Sequence, residues 1–143
     1  MGGFNLGGGP SGQAAPGAIP GSSLLPGIIA RVTTVNINSA LFQALYTVPA
    51  GRTLHVTEVI LRDPTNAAAA NIDGSLGVSP AGTNWAGFPV QTGLTAAGKE
   101  THIYPSAVGD SASVAAAGIF GIILTTLAGV AGTMTVEVIG YLV

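Results

Sequence analysis

Apolar and polar residues along this chain alternate in short runs, and each run is closed by turn-forming residues. Residues 71–79 alternate strictly, with Ile72, Gly74, Leu76 and Val78 on one side and Asn71, Asp73, Ser75, Gly77 and Ser79 on the other. That is the two-residue period of a strand with one wet face. Residues 42–48 place Phe42, Ala44, Tyr46 and Val48 against Gln43 and Thr47, and Pro49-Ala50-Gly51 then turns the chain. Residues 31–38 and 53–62 read as further strands, the second long and well buried, with Asp63-Pro64-Thr65-Asn66 as its stop. Residues 99–104, 111–114, 119–126 and 133–143 supply the rest, and 80–88 reads as a loop around Trp85. Strands at this density predict an all-β domain over 31–143, an antiparallel β-sandwich or jelly roll.

The pattern is different before Arg31, the first charged residue. Residues 1–30 contain nine Gly and four Pro, too many for a packed core or a helix. Phe4, Leu6, Ile19, Leu24, Leu25, Ile28 and Ile29 punctuate this stretch with no charge beside them. The expectation is an extended Gly/Pro-rich arm that lies across a neighbouring subunit, with these seven side chains as anchors. Fully extended, it would reach on the order of 100 Å.

Composition sharpens the picture. Only 7% of the 143 residues are charged, against about 25% in ordinary soluble proteins, so much of the surface is expected not to be bare. The net charge of −2 and the lack of any basic cluster argue against nucleic-acid binding. The absence of cysteine excludes disulfides, thiolate metal sites and thiol catalysis. Residues 1–6 have neither the basic nor the apolar region of a secretory signal. Residues 111–136 carry no charge and are long enough to span a bilayer. Two buried strands joined at Leu127-Ala128-Gly129 explain them more economically, and no membrane partner is expected.

Candidate chemistry is sparse. Residues 93–99 match the first seven positions of a phosphate-binding loop, but Glu100 occupies the place of the hydroxyl that holds magnesium. Gly109-Asp110-Ser111 resembles a hydrolase nucleophile block, yet no histidine follows it to act as base. His55 and His102 could meet Glu58 or Asp110 at a metal, although their spacing matches no recognised site. Asn71-Ile72-Asp73-Gly74 lacks the later glutamate of a calcium loop. Trp85 is a possible contact residue, as a surface platform or as a plug in the core. No catalytic residue, cofactor or metal is expected.

Three segments together carry a resemblance: YTVPAGRTLHVTEVIL (46–61), AVGDSASV (107–114) and GTMTVEVIGY (132–141). They are similar to the hairpin, turn-strand and terminal strand of small β-sandwich proteins from tailed-bacteriophage virions, of the capsid decoration (cement) or head-fibre type. The resemblance implies a structural virion protein with no active site. It implies a homo-oligomer, a trimer in the decoration proteins, seated on the outer capsid surface. There its arms would bind the major capsid protein and staple neighbouring capsomers. A tail, neck or fibre module is the alternative. Lower alternatives are a carbohydrate-binding module using Trp85, Tyr46 or Tyr104, and a small membrane protein built on 111–136.

Overall fold

A computed structural model describes residues 25–65, 72–80, 85–91, 100–105 and 113–143. Among them the chain forms nine strands: β1 (Gly27–Asn36), β2 (Gln43–Thr47), β3 (Leu54–Arg62), β4 (Ile72–Val78), β5 (Ala86–Gln91), β6 (Glu100–Ile103), β7 (Ser113–Val114), β8 (Ile119–Thr126) and β9 (Thr133–Leu142). They make two antiparallel sheets. Sheet I runs β1-β9-β3-β6, with the short β7 also on β3, and sheet II runs β2-β8-β4-β5.

One apolar cluster draws on both sheets. Leu54, Val56, Val59, Leu61, Val136 and Val138 come from sheet I, and Leu45, Ile72, Leu76, Phe120, Ile122 and Leu124 from sheet II. The link between strands β8 and β9 carries the chain from one sheet to the other, with Gly129 at a φ of 74° and Ala128 donating to the Ile37 carbonyl at 3.0 Å. The charge-free stretch 111–136 thus holds β7, β8 and the start of β9. No helix among the described residues is long and apolar enough to cross a membrane.

Bulges decide which side chains point inward. On β3, Val56 pairs with Gly140 and Glu58 with Ile139, so Thr57 is an extra residue. The buried positions consequently change parity, from Leu54 and Val56 to Val59 and Leu61. On β2 the same device leaves Leu45 unpaired between Ala44 and Tyr46. This corrects the simple alternation expected for 42–48, because Leu45 is buried while Ala44 is exposed. Each bulge approaches a glycine on the neighbouring strand. A Cβ on Gly140 would stand 2.2 Å from the His55 carbonyl oxygen, and one on Gly121 would stand 2.4 Å from that of Gln43.

Two further boundaries differ from the sequence expectation. Sheet pairing begins at Gly27, opposite Gly140, so 27–30 belong to β1 and not to the arm. Strand β5 occupies part of the expected loop 80–88. Its Gly87 and Pro89 obscure it in sequence, but it sits at the edge of sheet II, where a proline need not supply a ladder hydrogen bond. The edges are otherwise blunted against further pairing: β1 has two register shifts and β6 only four residues. At the end of β1, the Gln43 amide accepts from the Asn36 N–H at 2.7 Å and donates to its carbonyl at 2.9 Å, standing in for a paired strand.

Candidate functional site

The register of sheet I places the chain's ionic chemistry on its outer face. β9 buries Met134, Val136 and Val138, which turns Thr135, Glu137, Ile139 and Tyr141 outward. Pairing then builds rows across the sheet. One row is Arg31, Glu137, Ile60 and His102; a second holds Ile28, Ile139 and Glu58; a third holds Thr135, Arg62 and Glu100. Five of the ten charged residues, Arg31, Glu58, Arg62, Glu100 and Glu137, therefore share this face.

At its centre Glu137 is 3% exposed, the buried charged residue among those described. Arg31, directly opposite on β1, places Nη2 2.6 Å from Oε1 and donates Nε to the same oxygen at 2.7 Å. Arg62, on the diagonal from β3, reaches Oε2 with Nη2 at 2.8 Å. The two guanidiniums thus roof the carboxylate while remaining partly in water themselves. The Arg62 Nε has no hydrogen-bond partner and lies 3.6 Å from Asp63 Oδ2, too far for one.

Toward the β6 edge, His102 stands between two carboxylates. Its Nδ1 meets Glu58 Oε1 on β3, and its Nε2 is 2.9 Å from Glu100 Oε1 on its own strand. The bond from Glu58, then that from Glu100, raises the imidazole pKa above its ordinary value. The Tyr104 hydroxyl also bonds Glu58, and this contact raises the phenol pKa. The other histidine is elsewhere. His55 stacks on Tyr141 with centroids 5.1 Å apart and planes 13° apart, near the start of β3. The convergence of His55 with His102 considered from sequence does not occur, and among the described residues no group of three His, Asp or Glu could hold a metal.

The remaining sequence candidates fall as follows. Leu25 and Ile28 are exposed, at 68% and 56%, where the chain enters β1, and Ile29 packs against the core. Phe4, Leu6, Ile19 and Leu24 lie outside the described residues, as do the loop 93–99 and Gly109-Asp110-Ser111. Trp85 is 1% exposed and meets the Phe120 ring edge-on, at 5.6 Å and 89°, so it is a core residue and not a surface platform. Tyr46 packs against the core, whereas Tyr104 is exposed. Asp73 receives the Thr125 hydroxyl on Oδ1 and the Thr126 hydroxyl on Oδ2 at 2.9 Å, bonds that lower its pKa. Its oxygens therefore already serve a strand-to-strand tie.

The outer face of sheet II contrasts with that of sheet I. There Ala44 is exposed and Asp73 is tied to Thr125, while Gly77 and Gly121 are buried, with Phe42 lying over Gly121. No pocket is present among the described residues. Sequence reasoning paired His102 with Glu58 only as a possible metal site and did not reach the Glu137 cluster, whose members lie far apart in the chain. The one signal available was that the few charges recur at outward strand positions. No protein-family model, curated protein or solved structure matches the chain.

Proposed function

We propose that this chain is a structural virion protein of the capsid decoration type, a jelly-roll knob that oligomerises on the outside of a phage shell. Strand order carries the reading. With β7 set aside, β1-β9-β3-β6 opposite β2-β8-β4-β5 is the eight-strand, double Greek-key order found in viral capsid domains, though lectins and cupins share it. The sequence resemblance over 46–61, 107–114 and 132–141 supports the narrower assignment.

The distribution of charge supports an assembly role. Charge is concentrated on the outer face of sheet I, so an apolar subunit contact is expected away from that face. The chain enters β1 at the same end of the sheet as Val143, whose backbone exchanges bonds of 2.9 and 3.0 Å with Thr53. Leu25, Ile28, Tyr104 and Val143 are all exposed toward this end. An arm of residues 1–26 leaving there would carry Phe4, Leu6, Ile19, Leu24 and Leu25 toward an adjoining capsomer, and several modest contacts on linked arms would hold through effective concentration.

Two experiments test the proposal. Sedimentation equilibrium in detergent-free buffer should give a small multiple of 14.0 kDa, three if the resemblance holds, and a monomer at every concentration would refute self-assembly. Antibodies to the folded domain should label the shells of intact phage particles that encode the chain. Label confined to the tail would move it to the tail or fibre class, and its absence from purified particles would overturn the virion assignment. An arm deletion should stop at residue 24, because removal through Ala30 also takes the first four residues of β1.

A further inference from the structure

A neutral imidazole has one N–H and one bare lone pair, whereas an ionised carboxylate only accepts. His102 nevertheless presents Nδ1 to Glu58 and Nε2 to Glu100, the second contact at 2.9 Å. Both contacts are hydrogen bonds at once only when both ring nitrogens carry protons. After loss of one proton, a lone pair faces a carboxylate and that contact becomes repulsive.

The strands involved give this arithmetic a consequence. Glu58 belongs to β3, in the interior of sheet I, while His102 belongs to the four-residue edge strand β6. Beyond the backbone ladder from Val59–Ile103 to Arg62–Glu100, the Glu58–His102 contact is a side-chain tie between these two strands. Other groups on this face do not supply the missing proton. Arg62, opposite Glu100, is committed to Glu137 at 2.8 Å, and Glu137 is shared with Arg31. Tyr104 already donates to Glu58.

We propose that Glu58, His102 and Glu100 form a proton-operated catch that fastens the edge strand β6 to β3, closed when the imidazole is doubly protonated and released when it loses a proton. The catch sets both the local opening of β6 and the net charge of the outer face of sheet I. Below the transition one positive charge serves two carboxylates, and above it both are negative with no cation between them. The cluster is partly exposed, with 39% of the His102 side chain accessible, so protons reach it without unfolding.

The test is an NMR titration of the full-length protein between about pH 4.5 and 9, following the ring Cε1–Hε1 signal that disappears in His102→Gln. The midpoint should lie above that of a free imidazole, about 6.5, and the double variant Glu58→Gln/Glu100→Gln should bring it back toward that value. In parallel, exchange protection of the amides of residues 100–103, corrected for the intrinsic rate, should fall several-fold as the wild type passes its midpoint and stay level in His102→Gln. A wild-type midpoint at or below that of free imidazole overturns the proposal without recourse to any variant. So does a midpoint indifferent to both glutamates, or β6 protection that is independent of His102.

Discussion

Gly140→Ala isolates the relation between the β3 bulge and its partner strand. The added methyl would stand 2.2 Å from the His55 carbonyl oxygen, 3.1 Å from its carbonyl carbon and 3.2 Å from the Val56 Cα. All three are backbone atoms, so no side-chain rotation relieves the overlap. The strands must separate or the bulge must flatten, and flattening would return Glu58 and Val59 to the wrong faces of the sheet. Overpacking of this kind costs roughly 1–3 kcal/mol, and a clash against backbone belongs at the upper end. Alanine also restricts the unfolded chain, which returns about 0.4–1 kcal/mol. The net loss expected is about 2 kcal/mol, or a fall in Tm of roughly 8 °C for a domain of this size. Gly27→Ala is the control, because a Cβ there meets nothing within 4 Å, and it should be neutral or stabilising by about 0.5 kcal/mol. Both are read by urea and thermal unfolding at one protein concentration, so that any self-association acts equally. A Gly140→Ala protein as stable as the Gly27→Ala protein would refute the close approach at the bulge.

Further expectations concern the charged face and one turn. Because Arg31 and Arg62 themselves cover Glu137 on the outer face, Arg31→Ala/Arg62→Ala opens the carboxylate to water. The double arginine variant should therefore lose only about 1–2 kcal/mol by denaturant unfolding, and a loss above about 3 kcal/mol would show that the carboxylate stays buried without its partners. Ala117 has a φ of 63°, a conformation that costs a Cβ-bearing residue roughly 1–2 kcal/mol. After allowance for the greater freedom of unfolded glycine, Ala117→Gly should stabilise the protein by about 0.5 kcal/mol in the same assay. The raised His102 pKa contributes stability that is complete below the unfolded value and is lost as pH rises through the folded one. The lowered Asp73 pKa contributes stability present above the unfolded value and lost as pH falls through the folded one. The Tm profile should accordingly peak between about 4 and 6.5, with His102→Gln flattening the alkaline side and Asp73→Asn the acid side.

The sequence by itself determined the class of structure. Strict alternation over 71–79 and turn signals such as Pro49-Ala50-Gly51 are local properties. They placed most strands to within a few residues and made an all-β chain the expectation. Scarcity of charge was equally legible. The tertiary structure decided what depends on register. It put Leu45 inside and Ala44 outside through a bulge, paired 27–30 into sheet I, and made a strand of Ala86–Gln91 despite its Pro89 by giving it an edge. It sealed Trp85 against Phe120. It also brought Arg31 to Glu137 across 106 positions and His102 to Glu58 across 44. A period of two says which residues share a face but not which strand lies alongside. Strand pairing is settled by burying the apolar faces of both sheets in one core, and neighbours on the opposite face follow from that choice.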